Sequence, residues 1–105
     1  GMLDILAKRE EKRIEREEVY EKLFDKYGDM QLIVAMEELS ELQKELCKCL
    51  RKKGQIVNLC EEIADVQNMI DQMQLIFGIE KVEKYRKEKI ERTQKRLDEE
   101  INSNG

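Results

Sequence analysis

The sequence contains no proline, no histidine and no tryptophan among its 105 residues. Because proline interrupts helices, its absence from a chain with 42% charged residues is typical of long α-helices. The absence of histidine argues against a ferritin-like di-iron site, which uses Glu-x-x-His pairs. A glycine-rich phosphate cradle of the P-loop kind is also missing. The composition therefore predicts a helical protein without either of these sites.

Long apolar runs and paired cysteines are scarce as well. No run approaches the roughly 18 apolar residues of a membrane-spanning helix, and the N-terminus does not resemble a secretory signal. The three cysteines, Cys47, Cys49 and Cys60, do not suggest a disulfide framework, and a C-x-C pair on a helix points to different sides. These features predict reduced thiols in a cytoplasmic protein without a membrane partner. The net charge of −4 does not suggest nucleic-acid binding.

The chain is short enough for one domain. Gly1 precedes Met2 and is interpreted as the remnant of an expression tag, so the expected domain covers residues 2–105. Glycines that follow periodic stretches mark the expected helix ends. The predicted helices span residues 3–26, 30–52, 58–77 and 79–101, and the glycines are Gly28, Gly54 and Gly78. Asp29 and Asn58 are the predicted N-caps of the second and third helices.

Apolar residues at alternating steps of four and three predict a buried seam on each of the two central helices. On the third helix they are Leu59, Ile63, Val66, Ile70, Met73 and Phe77; on the second they are Ala35, Leu39, Leu42, Leu46 and Cys49. Further apolar residues lie beyond these seams, and a four-helix domain of this size has a thin core. The sequence therefore predicts an all-α, four-helix bundle-like subunit that assembles as a homodimer or homotetramer.

Two acidic stretches, EELSE at 37–41 and EEIAD at 61–65, interrupt these apolar patterns. Carboxylates three residues apart occur elsewhere in the chain and are ordinarily a solvated helix face. Other such acids, Glu18 and Glu91 among them, have a lysine or arginine four residues away that can pair with them. Glu38 and Glu62 have no such neighbour, and residues 54–80 contain no lysine or arginine at all.

The short connection after the second helix predicts that the second and third helices form an antiparallel hairpin. The two acid pairs, Glu38 with Glu41 and Glu62 with Asp65, would then face each other if the helices tilt. Unpaired carboxylates on a partly apolar flank are costly and normally protonate or bind a cation. Carboxylates without histidine or cysteine suit Mg²⁺, with Mn²⁺ as the alternative.

These stretches resemble the E-E-x-x-E … E-x-x-D signature of the MazG-type all-α nucleoside triphosphate pyrophosphohydrolases. YGDMQLIVAMEELSELQKEL and NLCEEIADVQNMIDQMQLIFG are similar to the second and third helices of that family, and the likeness covers about residues 27–92. The resemblance implies Mg²⁺-dependent hydrolysis of a nucleoside triphosphate to the monophosphate and pyrophosphate. It implies metal ligands at Glu38, Glu41, Glu62 and Asp65, and dimers or tetramers with the site near a subunit interface.

The resemblance also suggests contacts to the substrate. Asn68, one turn past Asp65, is a plausible contact to metal or nucleotide. Basic candidates for the phosphates are Lys48, Arg51, Arg86, Lys89 and Arg92, although a surface salt bridge is the ordinary role of each. Tyr27 and Gln31 are weaker candidates for the base pocket. Glu41, where it is not fully used as a ligand, could accept the proton of the attacking water.

Two alternatives stay open from the sequence. One is a different reaction of the same superfamily, such as dUTP hydrolysis or phosphoribosyl-ATP hydrolysis, since the base-pocket residues are scattered. The other is a non-enzymatic helical interaction module, in which the acids at 38, 41, 62 and 65 would be free to vary. Binding of a divalent metal separates the module from the enzyme.

Overall fold

A computed structural model describes residues 1–104, and within this range the chain forms four α-helices and no strand. The helices are α1 (Met2–Tyr27), α2 (Met30–Leu50), α3 (Ile56–Phe77) and α4 (Ile79–Asn104). The predicted all-α class is confirmed, and the predicted helix bounds agree to within a few residues. None of the four described helices combines the length and the apolar content that a membrane crossing needs. All three cysteines are free.

Glycine ends two of the helices by adopting a backbone conformation that other residues avoid. Gly28 has φ 55°, and its N–H donates to the Phe24 carbonyl at 2.7 Å. Gly78 has φ 121°, and its N–H donates to the Gln74 carbonyl at 2.9 Å. These two predicted helix ends are confirmed.

The connection between α2 and α3 uses its glycine differently. Lys52, with φ 58°, takes the left-handed conformation there. Gly54 instead provides space, because a Cβ atom at this position would lie 3.1 Å from the backbone nitrogen of Cys49. The helix α3 begins at Ile56 after an extended Gln55, so the predicted N-cap at Asn58 is wrong by three residues. Asp29 is the N-cap of α2 as predicted, although its side chain makes no capping hydrogen bond.

The hairpin of α2 and α3 forms the centre of the fold. These two helices have the most extensive contact, α1 contacts both of them, and α4 contacts only α3 among the described helices. Few side chains are buried. They are Tyr20, Gln31, Ala35, Glu45, Met69 and Gln72.

The buried face of α3 lies one flank away from the predicted seam. Met69 and Gln72 are its buried residues, whereas Ile63 and Ile70 of the predicted seam are exposed and Phe77 is 60% exposed. The reason is tertiary: α3 contacts α2 most extensively and contacts α1 and α4 less, so its neighbours rather than its own apolar pattern decide which side chains are buried. These three residues of the predicted apolar seam are therefore not buried within the single chain.

The four helices do not close around one core. The accessible surface is 9,027 Å², whereas a compact monomer of this mass exposes about 6,170 Å². The radius of gyration is 17.9 Å, against about 13 Å for a compact chain of this length. The single chain thus leaves far more surface in contact with solvent than a compact domain does.

Candidate metal centre

The hairpin brings three of the four predicted metal ligands together. Oxygen atoms of Glu38, Glu62 and Asp65 all lie within 4.8 Å of one another, and we call these residues the carboxylate trio. Glu62 and Asp65 are three residues apart and share one face of α3, while Glu38 approaches from α2. Glu38 and Glu62 are half-buried and Asp65 is exposed. Two of the three carboxylates are therefore only partly accessible to solvent.

The trio concentrates negative charge in a place where water is partly excluded. Burial raises the pKa of Glu38 above its usual value, and the charges of Asp65 and Glu62 raise it further. The Glu62 Oε2 atom is buried and has no hydrogen-bond partner among the described residues. No lysine or arginine of residues 1–104 forms a salt bridge with any member of the trio.

These observations fit a divalent cation. Mg²⁺ and Mn²⁺ bind carboxylate oxygens, and a cation between the three groups would satisfy the buried Glu62 oxygen. It would also remove the repulsion that raises the pKa of Glu38. The donor set lacks nitrogen and sulfur, so a zinc or iron site fits it less well.

Glu41, the fourth predicted ligand, lies outside the trio. It is exposed, and its Oε1 accepts a hydrogen bond from Lys44 Nζ at 3.2 Å. Glu41 follows Glu38 by nearly one turn of α2, so the two carboxylates are neighbours along the helix. Both side chains of this Glu41–Lys44 pair are exposed to solvent.

Asn68 is tied to the first helix. The hydroxyl of Tyr20 donates to Asn68 Oδ1 at 2.8 Å, and Asp71 Oδ2 lies 3.4 Å from the same hydroxyl. Burial raises the pKa of Tyr20, as does the charge of Asp71, while Arg16 lowers it. The phenol therefore remains a donor at neutral pH, and the Asn68 amide nitrogen is left free to donate to another group.

Asn68 lines a cavity of about 590 Å³ between α1 and α3, which we call the Asn68 cavity. Two cations and one carboxylate of α1, Lys12, Arg16 and Glu15, line the same cavity, together with Tyr20 and Gln72. None of these side chains was predicted as a site residue from the sequence. A signal was present, because Lys12, Arg16 and Tyr20 follow one another at steps of four and so share one helix face.

The five predicted phosphate contacts lie in other parts of the molecule. Lys48 pairs with Glu45 at 3.1 Å and, with Arg51, lines a cavity at the end of α2. Arg86 and Lys89 line a cavity between α3 and α4, and Arg92 is exposed on α4. The structure does not bring these cations together at the carboxylate trio.

Glu45 was not predicted as a site residue either. This residue is 9% exposed, its Oε1 pairs with Lys48, and its Oε2 is buried without a partner among the described residues. Glu45 lies seven residues after Glu38, so it occupies the same face of α2 about 10 Å further along. Because Lys48 follows Glu45 by three residues, the sequence pattern is that of an ordinary surface ion pair.

Comparison with known proteins finds no matching family model, no matching curated protein and no matching solved structure. The likeness to the MazG-type enzymes therefore rests on the residues at 37–41 and 61–65 and on the helices that carry them. The support for a function comes from the geometry of the carboxylate trio and its neighbouring cavities.

Proposed function

We propose that the chain is a Mg²⁺-dependent nucleoside triphosphate pyrophosphohydrolase that releases a nucleoside monophosphate and pyrophosphate. One observation carries the proposal: the carboxylate trio with its buried, unpartnered Glu62 oxygen, formed by two helices that carry both halves of the resembled signature. Such a donor set supports a hard divalent cation, and a triphosphate is a natural ligand for that cation.

In this proposal Glu38, Glu62 and Asp65 hold the metal. The metal, once bound, neutralises phosphate charge and makes a water molecule a better nucleophile. The Asn68 amide nitrogen donates to a phosphate or ribose oxygen, since its carbonyl oxygen is already occupied by Tyr20. Glu41 accepts the proton of the attacking water at a carboxylate oxygen once Lys44 releases it.

The Asn68 cavity supports binding of the phosphates next to the trio. Lys12 and Arg16 supply positive charge there, and Asn68 lies one turn along α3 from Asp65. Charge stabilisation and positioning account for most of the catalysis in phosphate chemistry. We therefore assign the phosphate contacts to Lys12 and Arg16 of α1.

The functional unit in this proposal is a homodimer or homotetramer located in the cytoplasm. The surface of the single chain exceeds that of a compact monomer by about 2,900 Å², and many large apolar side chains are exposed. A standard interface removes about 800 Å² from each partner. The three free cysteines suit a reducing compartment.

One observation favours the alternative of a helical interaction module. Apolar residues line an open groove between α3 and α4 with a volume of about 640 Å³. A partner helix could occupy this groove without any catalysis. The module requires no metal, whereas the enzyme does. The dUTPase-like and phosphoribosyl-ATP pyrophosphohydrolase alternatives are variants of the enzyme with other substrates.

A substrate screen tests the proposed function. Canonical and modified nucleoside triphosphates, dUTP and phosphoribosyl-ATP are incubated with the protein and Mg²⁺, and pyrophosphate release is measured. We expect release from at least one of them and none in the presence of a chelator. Absence of release from every compound, in protein that is folded and oligomeric, would reject the enzyme and leave the interaction module.

A further inference from the structure

A second cavity between α1 and α3 has a chemistry that the proposed function does not use. Its volume is about 410 Å³, which lies in the range of small-molecule sites. The aromatic rings of Tyr20 and Phe24, the carboxylates of Glu21 and Asp25, and the amide of Gln72 line it. We call it the Phe24 cavity.

The lining of the Phe24 cavity favours a flat group that donates hydrogen bonds. The two aromatic rings offer surfaces on which a planar ring can stack. Glu21 and Asp25 accept hydrogen bonds and repel anions, and no lysine or arginine among the described residues lines the cavity. A phosphate is therefore a poor occupant, whereas a heterocycle with an amino group is a good one.

Gln72 supplies the specific point of recognition. It is 5% exposed, and its Nε2 donates to the Met69 sulfur at 3.5 Å, while its Oε1 is buried without a partner. The opposite orientation of the amide would place its oxygen against that sulfur and lose the contact. A buried amide oxygen without a donor is unfavourable, and a donor on a ligand would remove that cost once the side chain rotates to expose the oxygen to the cavity.

The position of Gln72 links this cavity to the candidate metal centre. Gln72 lies seven residues, or about 10 Å, beyond Asp65 along α3. Tyr20 and Gln72 line both the Phe24 cavity and the Asn68 cavity, so the two cavities are adjacent. The Asn68 cavity contains the cations Lys12 and Arg16, whereas the Phe24 cavity contains aromatic rings and hydrogen-bond acceptors. Together they match a ligand with an anionic end and an amino-bearing ring at the other end.

We propose that the Phe24 cavity binds the nucleobase and that Gln72 Oε1 accepts a hydrogen bond from an exocyclic amino group of the base. The protein then prefers adenine and cytosine nucleotides, whose N6 and N4 amino groups are donors, over hypoxanthine and uracil nucleotides, which carry an oxygen there. This inference rests on the proposed function, because it takes the ligand of the site to be a nucleotide.

The test uses nucleoside monophosphates and metal-free protein, so that it does not depend on hydrolysis. Binding of AMP, IMP, CMP and UMP in the presence of a chelator is followed by NMR through the side-chain amide resonances of ¹⁵N-labelled protein. We expect AMP to bind roughly ten- to a hundredfold more tightly than IMP, and CMP more tightly than UMP by a similar factor, from the cost of an unpaired buried acceptor. The Gln72 amide resonance should shift with AMP and CMP.

Two variants test whether Gln72, rather than a nearby residue of α3, produces the preference for amino-bearing bases. Gln72→Met keeps the length of the side chain and removes the acceptor, so AMP and IMP should then bind equally. Gln74→Met makes the same change two residues away on α3, at a side chain that does not line the Phe24 cavity, and should keep the preference. If Gln72→Met does not fold, the comparison of AMP with IMP on the unaltered protein decides the question.

The outcomes distinguish this inference from the proposed function. Equal binding of AMP and IMP, or no shift of the Gln72 resonance with any of the four nucleotides, overturns the inference. Pyrophosphate release from any triphosphate would still support the enzyme in that case. If the protein binds AMP and CMP selectively but hydrolyses no triphosphate, the proposed nucleobase site is supported and the proposed hydrolase activity is rejected.

Discussion

At the scale of single residues, Glu62 explains why the carboxylate trio differs from the other acids of the chain. Its Oε2 is buried and unpartnered among the described residues, whereas acids such as Glu10, Glu17 and Glu83 pair with arginines on the helix surface. Surface pairs of that kind contribute little and tolerate substitution. A buried carboxylate oxygen that faces two further carboxylates is instead unfavourable unless a cation binds to it.

The first prediction concerns the charges of the trio. Asp65→Asn and Glu38→Gln keep size and helix compatibility but remove one negative charge each. Pyrophosphate release should fall roughly a hundredfold or more, because charge stabilisation at the phosphates is lost. The metal-free protein should become slightly more stable in both variants, since like charges no longer repel. Steady-state kinetics on the best substrate and thermal melts without metal measure the two effects.

Matched controls come from acids with the same spacing and basic neighbours. Glu18→Gln and Glu91→Gln change exposed residues that have Lys22 and Lys95 four residues on. Both variants should keep nearly the whole activity. If all four variants are equally active, the trio is ordinary helix surface and the proposed metal centre is wrong.

The sequence predicted all three members of the trio, together with Glu41, which the structure places outside it. Glu38, Glu62 and Asp65 stood out because no cation lies at helical spacing from them. Glu41 was the acid of the set with a local lysine, and it pairs with that lysine, Lys44, on the exposed surface of α2. Gln72 could not be found in this way, because its environment depends on where α1 crosses α3.

At the scale of helices, the ends were predictable where backbone conformation decides them. Gly28 and Gly78 end α1 and α3 because φ is positive there. The buried flank of α3 was not predictable with the same accuracy, since the apolar pattern allows two adjacent faces. Contacts with the other helices decide which face is buried, and a single helix carries no information about that choice.

The second prediction concerns the joint between α3 and α4. Gly78 has φ 121°, so Gly78→Ala should lower the free energy of unfolding by about 1–3 kcal/mol through backbone strain. Denaturant unfolding measures the change. A Cβ at this position would lie 3.6 Å from the Lys81 side chain, which is an ordinary contact distance. Lys81→Ala should therefore fail to restore stability in the double variant, and a full rescue would show that crowding rather than strain is the cause.

At the scale of the whole molecule, we expect the stability to depend on a bound metal ion. The third prediction is that Mg²⁺ stabilises the protein. A ligand that binds only the native state adds about 2.7 kcal/mol at roughly one hundred times its Kd. The melting temperature should rise with millimolar Mg²⁺ and fall with chelator, and Asp65→Asn should weaken the rise. A melting temperature that is the same with metal and with chelator would contradict a preformed site.

The exposed apolar surface argues for association between copies of the chain. Ile63, Ile70 and Tyr85 are exposed on α3 and α4, and Ile70 and Tyr85 line the groove between these helices. Monomeric proteins rarely expose large contiguous apolar patches. The surface in excess of a compact monomer, about 2,900 Å², exceeds what one standard interface removes from each partner. A dimer with an extensive interface, or a tetramer with two interfaces per chain, would account for this excess.

The fourth prediction is that the protein sediments as a dimer or tetramer at micromolar concentration, with no major species at the monomer mass of 12.5 kDa. Ile70→Glu places a charge on the exposed apolar seam of α3 and should shift the distribution toward smaller species, because burying an unpaired charge in an interface is costly. Gln67→Glu adds the same charge at an exposed polar position of the same groove and should shift it less. A stable monomer in the unaltered protein would contradict the assembly, and an oligomer unaffected by Ile70→Glu would place the interface on another face.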